Sequence, residues 1–261
     1  MQAEKTGEVT MKVDGHVCII TVDNIKKKNA YSPEMMEQLA QHLTAFEEND
    51  DLWVGILCSA GEHTTAGLDM PKFFGPAATA KPRPDEWVDP FGLKRRCTKP
   101  LIAVVQGITY TVGIEIMLAC DIVVAADTAR FGQLEAKRGI APLGGAHFRY
   151  LTRTGWGNAM YHLFLCEEFD AQRACELGFV QEVVPFGEQL NRAKDLAARI
   201  CTSAPLGLRA TKQAAMKFID AAEQAAIECI PDIRSKVFAS DDFKEGIQSF
   251  VERRAAVFTG R

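Results

Sequence analysis

Apolar and polar positions along the first part of the chain follow two different spacings, which predict alternating strands and helices. Residues 8–23 alternate between apolar and polar side chains and are interrupted at Asp14-Gly15, a dipeptide typical of tight turns. This pattern predicts a β-hairpin. From Ser32-Pro33 to Asp50, apolar residues instead recur every three or four positions. Serine followed by a first-turn proline is a common helix start, so this segment is predicted to be an amphipathic helix.

Three short apolar runs, at residues 52–58, 101–105 and 121–125, have the length and composition of buried strands. Their alternation with helices and loops predicts an α/β architecture built from successive strand–helix units. The proline-rich segment 75–90 has no apolar periodicity and predicts a mobile surface loop. Both a lid over a binding site and a plain linker fit its composition.

Helical periodicity dominates the last third of the chain. Proline-containing pairs interrupt it at Ala204-Pro205 and Ile230-Pro231. The predicted helices cover residues 188–202, 206–228 and 241–257. We therefore divide the chain into an α/β core, residues 1–187, and a helical region, residues 188–261, which is suited to packing on another subunit.

Composition and charge narrow the classes of protein without changing this picture. The chain has 261 residues, 47% of them hydrophobic, and a net charge of -4. No block of Lys and Arg suggests a nucleic-acid surface or a polybasic membrane patch. The longest apolar stretch, residues 100–126, is interrupted by Gln106, Glu115 and Asp121, which a membrane span tolerates poorly.

The cysteines and the first residues bear on where the protein works. None of the eight cysteines forms a C-x-x-C pair and several lie in apolar runs, which favours buried free thiols in a reducing compartment. The first residues resemble neither a signal peptide nor a transit peptide. These features predict a soluble, cytoplasmic protein.

Two glutamates are the strongest candidates for acid–base chemistry. Glu115 has only apolar neighbours in its segment, and burial of an unpaired carboxylate raises its pKa. A structural carboxylate bonded to backbone N–H groups or to Arg138 fits the same pattern. Glu135 follows the strand ending at Ala126, in a loop of the kind that presents groups at a sheet edge; taken alone, it has the ordinary explanation of a surface glutamate. If the two side chains meet, they form a general acid–base pair.

Two glycine-containing segments follow predicted strands and could present free backbone N–H groups to an anion or a carbonyl oxygen. They are residues 63–70 and 106–113, and the second leads directly into an apolar helix. Neither matches a dinucleotide or triphosphate loop. The chain also lacks a G-x-S-x-G elbow and any histidine spacing that predicts a metal site. Gly144-Gly145 favours a close-packing turn over a phosphate cradle.

These residues resemble the crotonase (enoyl-CoA hydratase/isomerase) superfamily over essentially the whole chain. The landmarks, in family order, are Lys28-Asn29-Ala30, Ala66-Gly67-Leu68-Asp69, Val104-Val105-Gln106-Gly107, Gly113-Ile114-Glu115 with Cys120-Asp121, Phe131-Gly132-Gln133-Leu134-Glu135, Gly144-Gly145 and the segment from Ala174 to Val184. The resemblance implies a spiral of repeated ββα turns with a C-terminal helical trimerisation region. It also implies a homotrimer or dimer of trimers, an acyl-CoA thioester substrate, and no metal or redox cofactor.

The resemblance also implies roles for individual residues. Leu68 and Val112 match the two backbone N–H donors of the oxyanion hole, and Glu115 and Glu135 match the two glutamates that hydratases use on water. The implied substrate-binding positions are Lys26, Lys27, Lys28, Ala30, Ala66, Leu68, Asp69, Met70, Val112, Phe258 and Arg261. The three lysines supply positive charge for the CoA phosphates. Because both glutamates are present, we expect an enoyl-CoA hydratase that adds water syn to a 2-enoyl thioester.

Other functions fit the same resemblance. The chain could be an enoyl-CoA isomerase or another 3-hydroxyacyl-CoA dehydratase of this fold. A crotonase-fold protein that only binds acyl-CoA or RNA is the non-enzymatic alternative. The family's usual triple glycine is replaced by Thr111-Val112-Gly113, Leu134 stands where proline is common, and Leu68 is larger than the usual alanine. These departures question a preference for short acyl chains without removing the catalytic groups.

Overall fold

The main sheet of the computed structural model has six strands, and a smaller sheet has three. The structure describes residues 7–75, 78 and 81–260. The strands in chain order are β1 (Glu8–Asp14), β2 (Val17–Asp23), β3 (Val54–Ser59), β4 (Leu101–Val105), β5 (Ile108–Tyr110), β6 (Ile122–Ala126), β7 (Arg130–Gly132), β8 (Phe169–Asp170) and β9 (Glu182–Val184). The main sheet has the order β1-β2-β3-β4-β6-β9, and the small sheet has the order β5-β7-β8. The predicted α/β class is confirmed.

Ten helices cover the sheets and form the C-terminal region of the described chain. They are α1 (Pro33–Glu48), α2 (Met70–Phe74), α3 (Val112–Ala119), α4 (Ala146–Thr154), α5 (Trp156–Leu165), α6 (Ala171–Glu176), α7 (Gln189–Ile200), α8 (Pro205–Glu228), α9 (Ile230–Ala239) and α10 (Asp241–Glu252). Short 3₁₀ turns span Ile25–Lys27 and Glu135–Arg138. The Ser32 side chain accepts a hydrogen bond from Met35 N, so the predicted start of α1 is confirmed.

Both faces of the main sheet are buried at its central strands β3, β4 and β6, which explains the continuous apolar runs of these three strands. The β1–β2 hairpin pairs antiparallel, as predicted, and the other strands of this sheet pair in parallel. On one face, Val54 and Ile56 of β3 belong to the same apolar cluster as Ala193 and Ala197 of α7. On the other face, the larger cluster joins β2 and β4 to α1, α3 and α4.

Successive chain segments contribute one strand to each sheet in turn. β4 joins the main sheet and β5 the small one, and β6 and β7 repeat this division. Thr65 forms an isolated parallel bridge with Thr109 of β5, so the segment after β3 continues the same arrangement. The repeat places the carboxyl ends of several parallel segments side by side, and ligand-binding groups collect at such ends.

The C-terminal region departs from prediction at two points. A helix, α9, begins at Ile230, where a break was predicted, because Pro231 occupies an early position at which proline fits. The helix predicted over 241–257 ends at Glu252, since Arg253 adopts a left-handed φ of 55°. Because α7 packs on the main sheet, it is continuous with the core in space, and the division at residue 187 stays a prediction.

The remaining differences concern short elements and the proline-rich loop. Strands of two or three residues and the helices α4, α5 and α6 were not predicted. Of the loop predicted over 75–90, positions 76, 77, 79 and 80 lie outside the described residues, and the rest contains no helix or strand. All eight cysteines are free thiols. No helix among the described residues is both long and apolar enough to cross a bilayer.

Candidate active site

Strand register brings three of the predicted site residues to one edge of the small sheet. Thr65, Thr109 and Phe131 are aligned in neighbouring parallel segments. Leu68 follows Thr65 by three residues, Val112 follows Thr109 by three, and Glu135 follows Phe131 by four. All three therefore emerge at the same end of these segments, which explains how sites distant in the sequence converge.

The backbone N–H groups of Leu68 and Val112 have no hydrogen-bond acceptor within the described part of the chain. Tyr31 N donates to Gly67 O at 2.9 Å, and Asp69 N donates to Tyr31 O at 2.8 Å. These bonds on either side of Leu68 direct its own N–H away from Tyr31. Val112 is the first residue of α3, where the helix provides no acceptor for an N–H. Both groups can therefore donate to a ligand.

Thr111 lies between the two N–H donors: it precedes Val112 in the chain, and its side chain contacts Gly67, the residue before Leu68. Its backbone conformation is strained. Its φ of 52° and ψ of -116° are rare for a β-branched residue. Thr111 N donates to Gly132 O at 3.0 Å, and Thr111 O accepts from Ile114 N at 2.9 Å, so both ends of the peptide are fixed. Its hydroxyl also lies against Gly67, where a Cβ would come within 2.6 Å of Oγ1. The Thr111 side chain thus fills the space beside Gly67, while its main-chain hydrogen bonds hold the start of α3.

Glu115 is a buried carboxyl held by main-chain donors. It lies in the first turn of α3 and is 2% exposed. Its Oε1 accepts hydrogen bonds from Gly144 N at 2.7 Å and from Ala146 N at 3.2 Å. A side chain on Gly144 would collide with Oε2 of Glu115 and with Phe91. The glycine pair, predicted to be a close-packing turn, therefore has this packing role and also binds the carboxyl.

Glu135 has a different environment. It begins the 3₁₀ turn after Leu134, and its Oε1 accepts a hydrogen bond from Gln133 Nε2 at 2.9 Å. Its Oε2 is buried and has no hydrogen-bond partner among the described residues. A buried polar atom without a partner is costly in a folded protein unless a ligand or water satisfies it. This oxygen is therefore the best-placed acid–base group of the site.

The two carboxyls have raised pKa values for related reasons. Burial raises the pKa of Glu115 to about 7, although the N–H groups of Ala146 and Gly144 and the charge of Arg149 act in the opposite direction. Burial, and then the charge of Glu115, raise the pKa of Glu135 well above its usual range. Because the charge of one carboxyl shifts the pKa of the other, the two groups titrate as a pair. Burial therefore favours the neutral form of both carboxyls, and the repulsion between them disfavours the doubly ionised pair.

The three lysines, Lys26 to Lys28, lie on and just after the 3₁₀ turn Ile25–Lys27, next to the segment that contains Leu68. Lys27 Nζ donates to Asp69 Oδ2 at 2.8 Å, which joins this turn to the residue after Leu68. Ala66 N donates to Lys28 O at 2.9 Å, and Ala30 N donates to Lys27 O at 3.0 Å. Lys26 and Lys28 have exposed side chains, and Met70 begins α2 directly beyond Asp69.

The C-terminal positions predicted to contact CoA lie farther along the chain. Phe258 is 41% exposed and belongs to the tail after α10. The Asp242 carboxylate accepts hydrogen bonds from Thr259 N at 2.6 Å and from Gly260 N at 2.9 Å, so it fixes this tail along α10. Arg261 lies outside the described residues.

Sequence reasoning gave no role to several residues that support the glutamates. Gln133 appeared only as part of a motif, and the N–H groups of Gly144 and Ala146 were not anticipated. Arg149 was not singled out, although it is buried next to Glu115. An arginine at the middle of a segment with apolar neighbours was the available signal, but its acceptors are backbone carbonyls that the sequence does not specify.

The raised pKa of Glu135 predicts that its carboxyl opposes folding at alkaline pH. A carboxyl whose pKa is higher in the folded protein than in the unfolded chain loses folding free energy as pH rises above its unfolded value. We expect Glu135→Gln to raise the free energy of unfolding by about 1–3 kcal/mol at about pH 8, and to have little effect near pH 4, where both states are protonated. Urea unfolding at the two pH values measures this.

Glu47 provides a control of opposite sign. Burial acts to raise the pKa of Glu47, but hydrogen bonds from Thr98 and Cys97 and the charge of Arg209 outweigh it and hold the pKa below its usual value. Glu47→Gln should therefore lower stability more at alkaline pH than at acidic pH. If Glu135→Gln follows the same direction as Glu47→Gln, the assignment of a raised pKa to Glu135 is wrong.

Two carboxyls with raised pKa values, together with two main-chain N–H groups that have no acceptor in the described part of the chain, define an acid–base enzyme that stabilises negative charge on an oxygen. The profile of the family described as "Enoyl-CoA hydratase/isomerase" matches residues 12–261. The chain belongs to this family, and the predicted resemblance to the crotonase superfamily is confirmed.

Individual relatives match along almost the whole chain. Enoyl-CoA hydratase EchA19 of Mycobacterium tuberculosis is 35% identical over 256 residues, which cover 95% of this chain and 94% of the relative. The 2,3-dehydroadipyl-CoA hydratase of Escherichia coli is 30% identical, with 97% and 99% covered. The crystal structure of carnitinyl-CoA hydratase from Mycobacterium avium has a TM-score of 0.89 at 29% identity, covering 97% of this chain and 98% of that one.

Proposed function

We propose that this protein is an enoyl-CoA hydratase that adds water to the double bond of a 2-enoyl-CoA thioester. The observation that carries the proposal is the pair of glutamate carboxyls at the site: Glu115 is buried, and the half-buried Glu135 has a buried Oε2 with no partner among the described residues. Relatives named as hydratases at 30% and 35% identity support the same reaction. Isomerisation of a double bond needs proton transfer but no attack by water, so a second carboxyl adds most to hydration.

In the proposed mechanism, the N–H groups of Leu68 and Val112 bind the thioester carbonyl oxygen. Their hydrogen bonds strengthen as the oxygen becomes an enolate, and one such donor contributes about 3–4 kcal/mol to lowering the barrier. Polarisation of the carbonyl withdraws electrons from the double bond and makes its β-carbon electrophilic. The two donors therefore stabilise the charge that the addition of water creates.

The environments of the carboxyls suggest which is the base and which is the acid. Glu115 accepts two main-chain hydrogen bonds and is the carboxylate, so it takes a proton from water as the water oxygen bonds to the β-carbon. The electrons of the double bond move to the thioester oxygen and then return as Glu135 gives its proton to the α-carbon. Transfer of the proton from Glu115 back to Glu135 restores the enzyme. Delivery of both groups from one side gives syn addition.

CoA enters as part of the substrate, and this reaction transfers no electrons, so it needs neither a redox cofactor nor a metal. We assign the CoA phosphates to the exposed lysines Lys26 and Lys28, because Lys27 is engaged with Asp69. Ala30, Ala66 and Met70 then line the thioester segment beside Leu68. Phe258 and Arg261 extend the proposed contact toward the adenine end of CoA. This chemistry belongs to CoA-dependent metabolism such as that of fatty acids.

Purified protein tests this function directly. We expect a panel of 2-enoyl-CoA thioesters of increasing chain length to lose their conjugated-enoyl ultraviolet absorbance in buffer alone, with 3-hydroxyacyl-CoA identified by mass. Appearance of that absorbance from 3-enoyl-CoA, without loss from any 2-enoyl-CoA, would identify an isomerase instead. Binding of acyl-CoA without either change would identify a binding protein.

We also propose that the protein assembles as a homotrimer or a dimer of trimers, and that it acts in the cytoplasm. Five buried free cysteines suit a reducing compartment. Helix α5 buries Ala159 and Leu163 but exposes large apolar side chains on its other face, including Trp156 at 68% and Phe164 at 75%. An exposed patch of this kind favours a contact between subunits.

The α5 face gives a testable prediction. We expect the wild type to have about three or six times the chain mass of 28.7 kDa in light scattering. The double variant Trp156→Glu, Phe164→Glu should give the mass of a single chain, because two buried charges at an interface each cost several kcal/mol. Val13→Glu changes an exposed apolar residue on the β1–β2 hairpin and should leave the mass unchanged. An α5 variant of unchanged mass would exclude this face from the interface.

A further inference from the structure

Helix α4 is linked to both glutamates of the site through three of its residues, directly to Glu115 and through Gln133 to Glu135. Its first residue, Ala146, donates its N–H to Glu115. Arg149 and Tyr150 follow within the next turn and a half, and both are buried. Arg149 hydrogen-bonds the main-chain oxygen of Glu115, and Tyr150 hydrogen-bonds Gln133, which in turn hydrogen-bonds the Glu135 carboxyl.

Arg149 holds the donors of Glu115 in place. Its guanidinium donates to Glu115 O at 3.4 Å, to Gly144 O at 3.5 Å and to Gly92 O at 3.3 Å. Gly144 is the residue whose N–H donates to the Glu115 carboxyl. A Cβ on Gly145 would collide with the guanidinium, so the glycine pair also makes room for it.

Arg149 makes no ion pair with any carboxylate in the described part of the chain. It is 5% exposed and lies with its guanidinium over the Phe148 ring, 5.0 Å from the ring centroid. A buried cation is costly without a nearby negative charge. An ionised Glu115 therefore stabilises the charged form of Arg149, and the Arg149 charge stabilises the ionised form of Glu115.

Tyr150 acts on the other carboxyl through Gln133. The Tyr150 hydroxyl donates to Gln133 Oε1 at 3.3 Å, and Gln133 Nε2 donates to Glu135 Oε1 at 2.9 Å. In this arrangement the amide oxygen of Gln133 faces Tyr150 and its NH₂ group faces Glu135. An Oε1 that accepts a hydrogen bond does not carry the carboxyl proton, which leaves the proton on Oε2. That oxygen is the one with no partner in the described residues.

We infer that Arg149 and Tyr150 are positioning residues that divide the single proton of the glutamate pair, keeping Glu115 ionised and placing the proton of Glu135 on Oε2. This inference rests on the proposed hydratase function, in which these are the states that react. Burial favours the neutral form of both carboxyls, so an ionised Glu115 needs a positive charge nearby, which α4 supplies as Arg149.

The charges around Arg149 set the expected pH dependence. Arg96 and Asp89 approach it from the segment before β4, Glu223 from α8 and Glu115 from α3. Arg96 is paired with Glu223, so the net charge that these two add is small. Glu115 faces Arg149 and Glu135. Loss of the Arg149 charge therefore makes ionisation of Glu115 harder and moves the acidic limb of the pH profile to higher pH.

Conservative variants separate charge from hydrogen bonding. Arg149→Gln keeps N–H donors but removes the charge, and Arg149→Lys keeps the charge with fewer donors. The readouts are the pH profile of kcat/KM and the titration of ¹³C-labelled glutamate carboxyls, with the Glu115 signal assigned by Glu115→Gln. We expect the Glu115 midpoint and the acidic limb to rise by about one pH unit in Arg149→Gln and by less than about 0.3 in Arg149→Lys.

Tyr150→Phe tests the second part of the inference, because it removes the hydroxyl that donates to Gln133. We expect kcat to fall by about 3–10-fold, as for loss of one neutral hydrogen bond, with the Glu115 midpoint unchanged. Arg153→Gln is the matched control, because Arg153 is exposed one turn later on the same helix. It should alter neither the midpoint nor kcat.

Two outcomes would overturn the inference. One is a fall in activity of Arg149→Gln with an unmoved Glu115 midpoint, since a merely structural residue would give that result. The other is wild-type kcat in Tyr150→Phe. If the wild type hydrates no 2-enoyl-CoA, the proposed function fails, but the carboxyl titration still decides whether Arg149 controls the charge of Glu115.

Discussion

Glu115→Gln is expected to lower kcat for hydration of a 2-enoyl-CoA by about 10³–10⁴-fold, the upper range for loss of a general base. Glutamine has nearly the same shape, and its Oε1 can still accept the hydrogen bonds from Gly144 and Ala146. It cannot take a proton from water. The fold and the two N–H donors should therefore persist while the chemical step fails.

Two measurements separate this effect from a loss of binding or folding. Isothermal titration with a saturated acyl-CoA should give a Kd within about twofold of the wild type, because no reacting carboxyl binds the thioester. Glu47→Gln replaces another buried carboxyl, one on α1 that accepts from Thr98 and Cys97. It should reduce stability but keep kcat within about threefold. If Glu115→Gln retains more than about a tenth of wild-type kcat, water is not activated by Glu115 and the proposed mechanism is wrong.

The spacing of hydrophobic residues was sufficient to predict the longer strands and helices of the α/β core. The β1–β2 hairpin, α1, β3, β4 and β6 follow directly from their apolar patterns, because each buries several side chains against one core. The strands β5, β7 and β8 have two or three residues each, too few to show any periodicity. Their positions depend on pairing with distant segments, such as Ile108 with Arg130, which a local pattern does not contain.

The same distinction applies to the site: some of its residues are recognisable from their neighbours in the sequence, and others acquire a role only through contacts with distant segments. Glu115 was identifiable because a carboxyl among apolar neighbours conflicts with its surroundings, and such conflicts collect at functional sites. Glu135 has no such local signal: its place after a predicted strand made it a candidate only as a partner of Glu115, and the motif resemblance gave it its role. Gln133, Tyr150 and Arg149 remained unassigned, since their hydrogen-bond partners come from separate elements and their roles exist only once the chain is folded.

The other large expected effect concerns the Val112 N–H. Replacing Val112 by its α-hydroxy acid through stop-codon suppression converts this N–H to an ester oxygen and leaves the side chain intact. We expect kcat to fall by about 10²–10³-fold, as for removal of one oxyanion-hole donor, with acyl-CoA affinity changed far less. The reason is that this hydrogen bond strengthens only as the enolate forms.

Val112 begins α3, so no helical hydrogen bond is lost when its N–H is removed. The ester makes the Thr111 carbonyl a weaker acceptor for Ile114 N, so we expect the helix start to remain intact with only a small fall in the thermal unfolding midpoint. Val112→Ala, which keeps the N–H and trims the side chain, should retain kcat within about fivefold. Similar losses in both variants would mean that the valine side chain matters and the N–H does not. Wild-type kcat in the ester variant would show that the carbonyl oxygen binds elsewhere, and the proposed oxyanion hole at Leu68 and Val112 would then be wrong.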